Sequence, residues 1–337
     1  MKSLYNRVCI TGTVYNLFLY LLISTLEEYN RTFFFVGHGI PEEVRNKIDN
    51  KRFMPYTGLT QHEKKWAIIK CKLLSRIYYP FLDNSKIFAQ DHYPYMPYIV
   101  GNRKYTFIED GPNIFSITQP TEMWKCNAQY LRSRSFWQKL KDNFVSKAIA
   151  GIMANNELCT EVIVTTPDYI SYLDGKKFTQ IDIKKLWENS SVEKKKNIMR
   201  IFDISDDDIT YLSKKKNILF TQPFAVDGEL TEEEQFSLYK NSLSKYNLND
   251  VIIKTHPRDT FDYKKYFPEC LVFSKPVPFQ LLDLFNIRFN TAITVCSTAV
   301  TSIPYDIKID WIGASVHPNI LKSFGDIIPK EIESKLI

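Results

Sequence analysis

The chain has 337 residues, of which 44% are hydrophobic and 24% charged, and a formal charge of +6. At roughly 150 residues per domain this predicts about two domains, with cores large enough to need no disulfide or metal staple, and it excludes disordered, collagenous and coiled-coil classes. The charge is too mild for a dense nucleic-acid-binding face, so no nucleic-acid partner is expected; it suits an anionic substrate or an anionic membrane surface.

Arg7–Thr11 (RVCIT) reads as a strand, Gly12-Thr13 as a turn, Tyr15–Leu26 as a helix and Thr32–Gly37 (TFFFVG) as a second buried strand. This opening argues for a parallel sheet with helices on both faces. The apolar run Val14–Ile23 follows Lys2 and Arg7 as a signal peptide would. It is too short to span a bilayer, and Glu27-Glu28 come next instead of a small-residue cleavage site, so it reads as part of a folded domain. Gln61–Tyr79 reads as a helix with basic and apolar faces. Lys86–Gln90 and Tyr105–Asp110 (YTFIED) read as strands, the second stopped by Gly111-Pro112. Ser135–Met153 reads as a Lys-rich helix. The wider stretch Tyr130–Met153 sets Arg and Lys among Phe136, Trp137, Phe144 and Ile149, which suits an interfacial helix or a core-packed helix with a solvated basic face. Glu161–Thr166 is a strand, Ile181–Asn189 and Val192–Phe202 are helices, and the polar segment Asp203–Lys216 reads as a linker with a short capped helix.

The α/β rhythm then restarts. Strands Asn217–Thr221, Val251–Lys254, Cys270–Phe273, Thr291–Cys296 and Ile309–Ile312 alternate with helices Glu232–Tyr246, Pro278–Phe285 and one after Ser297. This is a second Rossmann-like unit. The expectation is an α/β protein of GT-B type, the glycosyltransferase arrangement of two Rossmann-like domains facing a central cleft. Residues 1–205 would form the N-terminal, acceptor-side domain with a helical insertion, 216–320 the C-terminal nucleotide-sugar domain, and 321–337 a tail. Cys9, Cys71, Cys126, Cys159, Cys270 and Cys296 form no CxxC pair and no zinc spacing, which points to a reducing cytosol.

In an open α/β sheet, ligands bind at the carboxyl ends of the strands, and several reactive residues fall there. His256-Pro257 directly follows the strand Val251–Lys254. An imidazolium can neutralise a leaving phosphate or give it a proton, and Arg258 adds a fixed charge; a plain surface loop is the other reading. Ser297-Thr298 after the strand Thr291–Cys296 reads as an anion site at a helix start or as an ordinary cap. In Glu109-Asp110-Gly111, a carboxylate could take a proton from a sugar hydroxyl. Strand alternation sends the two acids to opposite sides, so at most one is the base, and a solvated turn remains open. Thr221-Gln222-Pro223 ends the first strand of the second half. Asp227-Gly228 in the following loop gives a second base candidate or a simple turn. Asp206-Asp207-Asp208 imitates the D-x-D metal motif of some glycosyltransferases, but its place in the polar segment favours helix capping. His38, His62, His92 and His317 lack partners at ligand spacing, so no metal site and no cofactor are expected; His38 ends a strand and could face the cleft.

The ordered set of acidic-acidic-Gly strand end, His-Pro and Ser-Thr resembles the bacterial sialyltransferases. The segments FTQPF, VIIKTHPRDTFDY and PVPFQLLD are most similar to glycosyltransferase family 52, clearly over roughly residues 217–313 and more thinly over 1–115. That family includes α2,3-sialyltransferases acting on lipopolysaccharide, O-antigen or capsule sugars. The resemblance implies CMP-N-acetylneuraminic acid as donor, inversion without a metal, and a galactose-terminated glycan or lipid-linked oligosaccharide as acceptor. That role would place the protein in the cytoplasm, with peripheral association at the inner face of the cytoplasmic membrane. His256 would contact the CMP phosphate and assist its departure, Ser297 and Thr298 would hold that phosphate, and Pro257, Thr221 and Gln222 would complete the donor site. The base would be Asp110 with Glu109, or else Asp227. Gln280 stands where related sialyltransferases often carry a glutamate for the CMP ribose; it keeps hydrogen bonding and loses the charge. A hexosyltransferase using a UDP-sugar and a non-catalytic polysaccharide-operon binding protein are the alternative readings.

Overall fold

The structure is a computed structural model. It describes residues 4–55, 59–60, 62–64, 66–67, 69–70, 79–91, 93, 95–111, 129, 133, 135–137, 153–166, 176–256, 258–326 and 328–336. The expected helix Gln61–Tyr79 is helical at the described positions from 62 to 70. The expected helix Ser135–Met153 lies outside the described residues apart from its ends, as do Cys71, Cys126, His92 and Pro257.

The chain divides into two compact units, Met1–Ile201 and Phe202–Ile337. In unit 1, seven parallel strands run in the order β3-β2-β1-β4-β5-β6-β7: β1 Arg7–Thr11, β2 Thr32–Gly37, β3 Lys51–Met54, β4 Lys86–Ala89, β5 Tyr105–Ile108, β6 Cys159–Val164 and β7 Lys177–Gln180. The sequence reading gave the interior strands and omitted β3 (KRFM) and β7 (KFTQ), which are the two edges. Edge strands carry charge to discourage pairing with other chains, and so lose the apolar pattern that marks a strand. The apolar run Val14–Ile23 is a helix buried from Tyr15 to Leu22 and in contact with the helix Ile183–Glu188. A helix covered on both sides is apolar all round, which explains its signal-like composition. Thr13 caps it by accepting the Asn16 N–H at 3.2 Å.

In unit 2, five parallel strands run in the order β10-β9-β8-β11-β12: β8 Asn217–Phe220, β9 Val251–Lys254, β10 Leu271–Phe273, β11 Thr291–Thr294 and β12 Lys308–Trp311. In chain order this is 3-2-1-4-5, five strands of the doubly wound dinucleotide-binding order, with the switch in strand order between β8 and β11. One face is filled by Leu219, Tyr239, Ile253, Tyr263, Ile293 and Ile320 among others. The polar segment before β8 holds the helix Asp206–Ser213, closed by a capping box between Ser205 and Asp208. At the far end of the chain Ile332 is 1% exposed and Leu336 bridges Ile309, so residues assigned to a tail pack on β12. The helix expected after Ser297 is a five-residue 3-10 turn, Thr298–Ser302. Among the described residues, no helix is long and apolar enough to cross a membrane.

Candidate active site

In unit 1 the carboxyl ends of β1, β4 and β5 are joined by side chains. The switch in strand order falls between β1 and β4. There the Gln90 Oε1 accepts the Gly12 N–H at 2.8 Å, while its Nε2 donates to the Asp110 carboxylate at 2.6 Å. Thr13 donates to the Asp110 carbonyl at 3.1 Å. Asp110 is half-buried, just past β5. The neighbouring Glu109, an equal candidate on sequence grounds, is turned into the protein and is 0% exposed. Its Oε1 accepts the Tyr15 hydroxyl at 2.9 Å, the Thr165 hydroxyl at 2.6 Å and the Thr165 N–H at 3.0 Å. Its Oε2 is buried with no hydrogen-bond partner among the described residues. Of the pair, Asp110 is the less buried, although its Oδ1 is itself shielded from solvent and its Oδ2 accepts from Gln90.

Burial pushes the Glu109 carboxyl up to about 7, against the pull of the Thr165 and Tyr15 hydrogen bonds and helped by the Asp110 charge. Its ordinary value is 4.5. Between the two values the native protein holds a proton that the unfolded chain has released. The Glu109 contribution to stability is thus complete below the ordinary value and is lost as pH rises through the folded one. Glu109→Gln is neutral at every pH. Urea denaturation should show the wild type losing stability relative to Glu109→Gln between about pH 5 and about pH 8; parallel curves would contradict the assignment.

In unit 2 the His256 loop is held by a chain of hydrogen bonds. The His256 N–H donates to the Thr221 hydroxyl at 3.1 Å, and that hydroxyl donates to Asp259 at 2.9 Å. Asp259 also accepts the Tyr263 hydroxyl at 2.7 Å and the Phe261 N–H at 3.2 Å. Gln235, 0% exposed, donates to the Tyr263 hydroxyl at 3.0 Å and accepts the Ala225 N–H at 2.8 Å, tying in the loop after β8. The Tyr239 hydroxyl accepts the Gln222 N–H at 2.8 Å.

His256 is half-buried. Its Nδ1 accepts the Arg258 N–H at 3.2 Å, which leaves Nε2 as the protonated nitrogen of the neutral ring. Burial and the Arg258 charge hold the imidazole below its ordinary range, with Asp259 and Asp227 pulling the other way. Two residues upstream, burial pushes the Lys254 ammonium down to about 8. Both carboxylate oxygens of Asp227 are engaged by the Arg258 guanidinium, at 2.5 and 2.9 Å.

Across the switch point, the Cys296 thiol donates to Gln222 Oε1 at 2.9 Å. Ser297 caps the 3-10 turn by accepting the Ala299 N–H at 3.3 Å, so the backbone donor expected for an anion is already used. The Ser297 N–H donates to buried Thr294, and Thr298 is exposed. Unit 2 thus gathers His256, Thr221, Gln222, Asp227, Ser297 and Thr298 at one sheet edge. Gln280 is buried in the first turn of the helix Phe279–Leu284. Asp208 of the Asp206–Asp208 run accepts the Lys275 ammonium at 2.6 Å and caps its own helix. Among the described residues no group of three or more His, Cys, Asp or Glu side chains is arranged to hold a metal ion.

The sequence profile of Glycosyltransferase family 52 matches residues 65–318. The chain belongs to glycosyltransferase family 52. An uncharacterized protein of Haemophilus influenzae is 28% identical over 319 residues, 92% of this chain and 95% of its own. Among solved structures, a 2,6-sialyltransferase from Vibrionaceae Photobacterium sp. JT-ISH-224, in a ternary complex with the donor product CMP and the acceptor substrate lactose, superposes with a TM-score of 0.58 at 10% identity, over 98% of this chain and 78% of that one. An α/β-galactoside α-2,3-sialyltransferase from Photobacterium phosphoreum gives 0.54 at 11% identity, over 98% and 97%. The GT-B domain of a Photobacterium damselae sialyltransferase gives 0.51 at 11% identity, over 90% and 89%. At these identities the likeness is one of fold: this family 52 chain is α/β with the GT-B architecture.

Asp259, Gln235, Tyr239 and Tyr263 carry no signal in the sequence beyond Asp259 lying three residues after His256; the bonds Thr221–Asp259, Gln222–Tyr239 and Gln235–Tyr263 span 38, 17 and 28 residues. Asp259→Ala would leave the buried hydroxyls of Thr221 and Tyr263 without an acceptor. It should lower the stability of unit 2 by roughly 1–3 kcal/mol for each group left unpaired. An unchanged denaturation midpoint would show that the network holds nothing.

Proposed function

We propose that this family 52 glycosyltransferase is an inverting, metal-independent sialyltransferase that moves N-acetylneuraminic acid from its CMP donor to a galactose-type acceptor, with α2,3 linkage, in the synthesis of a bacterial surface polysaccharide. The observation that carries the proposal is the placement of His256, presented at the carboxyl end of β9 by the Thr221–Asp259 hydrogen bonds, beside the switch between β8 and β11. That is where an open α/β sheet receives a nucleotide. His256 would meet the departing phosphate through Nε2–H, and the phosphate charge would favour the protonated ring that the free protein disfavours. The hydroxyls of Ser297 and Thr298 and the side chains of Thr221, Gln222 and Gln280 would line the donor site. The fold shared with a sialyltransferase bound to CMP and lactose supports the donor and acceptor classes.

His256→Ala should lower kcat by roughly 10²–10⁴ with folding intact, as for a lost general acid. The protein should release CMP from CMP-sialic acid, ignore UDP-sugars, and keep its activity in excess EDTA. Turnover of a UDP-hexose instead would make it a hexosyltransferase. Turnover of neither donor would favour a binding protein.

For the base, Asp110 is preferred over Asp227. Asp110 sits at a strand end and is held by a neutral amide, whereas both Asp227 oxygens are taken by Arg258. Asp110→Asn should abolish transfer with CMP affinity nearly unchanged, and Asp227→Asn should cost much less. Comparing transfer rate and CMP affinity on the same preparations decides it, and the opposite pattern would reverse the two roles.

A further inference from the structure

Unit 1 carries a pocket on the sheet edge that holds Asp110. It has a volume of about 470 Å³ and is lined by Arg52, Phe53, Glu63, Trp66, Lys70 and Tyr95 among others. Phe53 belongs to β3, and Tyr95 follows β4 and donates its hydroxyl to the Pro55 carbonyl just past β3. In a parallel sheet every carboxyl end lies along the same edge. From β3 to β5 there are four strand steps, or roughly 19 Å at about 4.8 Å each. The pocket is therefore displaced along the edge from Asp110 without leaving it.

Its lining joins two kinds of surface. Trp66 is 53% exposed and Phe53 is 40% exposed, large aromatic areas that a protein normally covers. The Trp66 Nε1 donates to the exposed His62 Nε2 at 3.1 Å, one turn earlier on the same helix. The outlying ring of Phe53 carries the Arg45 guanidinium 3.9 Å over its face. Around these rings stand charged groups that can hydrogen-bond, Glu63, Lys70 and Arg52. A sugar ring has matching surfaces: a face of C–H groups for an aromatic ring, and a rim of hydroxyls for carboxylate and ammonium groups. A purely apolar ligand would strand the charges, and a purely ionic one would leave the indole wet.

We infer that this pocket is an extended acceptor subsite, which stacks an internal sugar of an oligosaccharide on Trp66 while the terminal sugar lies at Asp110. The inference rests on the proposed role of unit 1 as the acceptor side. It makes the protein a reader of acceptor length: a disaccharide spans the reacting end alone, and a longer chain reaches the indole.

The test compares lactose with lacto-N-neotetraose, both ending in galactose, on the full chain. With CMP-sialic acid as donor, Trp66→Ala should raise KM for the tetrasaccharide roughly three- to tenfold, the range for losing one aromatic partner, and shift KM for lactose by less than twofold. Trp66→Phe, which keeps an aromatic face, should recover most of the difference; a general folding defect would instead lower the apparent kcat for both acceptors together and leave both KM values in place. Equal effects on the two acceptors, or none on either, would overturn the subsite. Saturation-transfer NMR without donor tests it independently of transfer. A tetrasaccharide signal that is present with the wild type and weakens at its internal sugar with Trp66→Ala would support the subsite even if no CMP-sugar were turned over, in which case the proposed reaction alone would fall; an unchanged signal would overturn the subsite. A wild-type protein that transfers no saturation to the tetrasaccharide would remove the subsite whatever the reaction proves to be.

Discussion

The Asp259 carboxylate accepts the hydroxyls of Thr221 and Tyr263 and, through Thr221, fixes the backbone N–H of His256. Parallel strands end together at one edge, and the loops that leave them carry backbone donors with no ladder partner. A loop placed at that edge by solvent contacts alone would wander. Here one carboxylate, reached from β8 by Thr221 and from the next turn by Tyr263, makes the loop after β9 part of the sheet. The buried amide of Gln235 extends the same lock to the loop after β8. The position of His256, and the exchange between Arg258 and Asp227 beside it, follow from that lock.

Unit 1 meets the same requirement differently. Its strand-end carboxylates split into the fully buried Glu109, with one oxygen engaged and the other unpaired among the described residues, and the less buried Asp110. Glu109 spends one oxygen on three donors, and burial raises its proton affinity. A second acid, Asp91, accepts the backbone N–H groups of Met153 and Ala154 at 2.8 and 2.6 Å and the Tyr105 hydroxyl at 3.0 Å. Met153 and Ala154 both have positive φ, 53° and 63°, a backbone shape that ordinary residues resist. The Asp91 bonds supply what holds it there. These two buried acids hold backbone donors, while Asp110 beside Glu109 is less buried.

How far the sequence disclosed this depends on how local each signal is. Strands β1 and β2 and the helix Val192–Phe202 have the bounds expected, because a buried strand and an amphipathic helix declare themselves within one window of residues. The edge strands β3 and β7 did not, since Lys51, Arg52 and Lys177 break the apolar pattern. His256 and Asp110 could be named because each lies two residues past the end of such a strand. Whether Asp110 or Glu109 faced outward could not be settled, because that turns on Tyr15 and Thr165, 94 and 56 residues from Glu109. The anion site read into Ser297 assumed a regular helix, and a five-residue 3-10 turn replaced it. Asp91, Gln90 and Gln235 were silent for the same reason: a polar residue at a strand end or on a helix looks solvated until its distant partner is known.

The two sheets share a strand order over their first five strands and differ at the switch point, and that difference bears on which unit takes the nucleotide. In unit 1 the crevice between β1 and β4 is filled. Gln90, 3% exposed, bonds across it to Gly12. A Cβ added to Gly12 would stand 3.0 Å from the Gln90 oxygen and 3.2 Å from the Tyr93 ring, and one on Gly37 would stand 2.8 Å from the same ring. The glycines there let side chains close the crevice, where in a nucleotide site they let a phosphate enter. In unit 2 the corresponding bridge is a weak thiol contact between Cys296 and Gln222, both partly exposed. A ribose hydroxyl can replace the thiol as donor to Gln222 Oε1 at little cost, whereas displacing the buried Gln90 amide breaks its bonds to both the Gly12 N–H and the Asp110 carboxylate. On the proposed reading, the nucleotide enters unit 2, where the bridge across the switch point is a weak thiol bond that a ribose hydroxyl can replace.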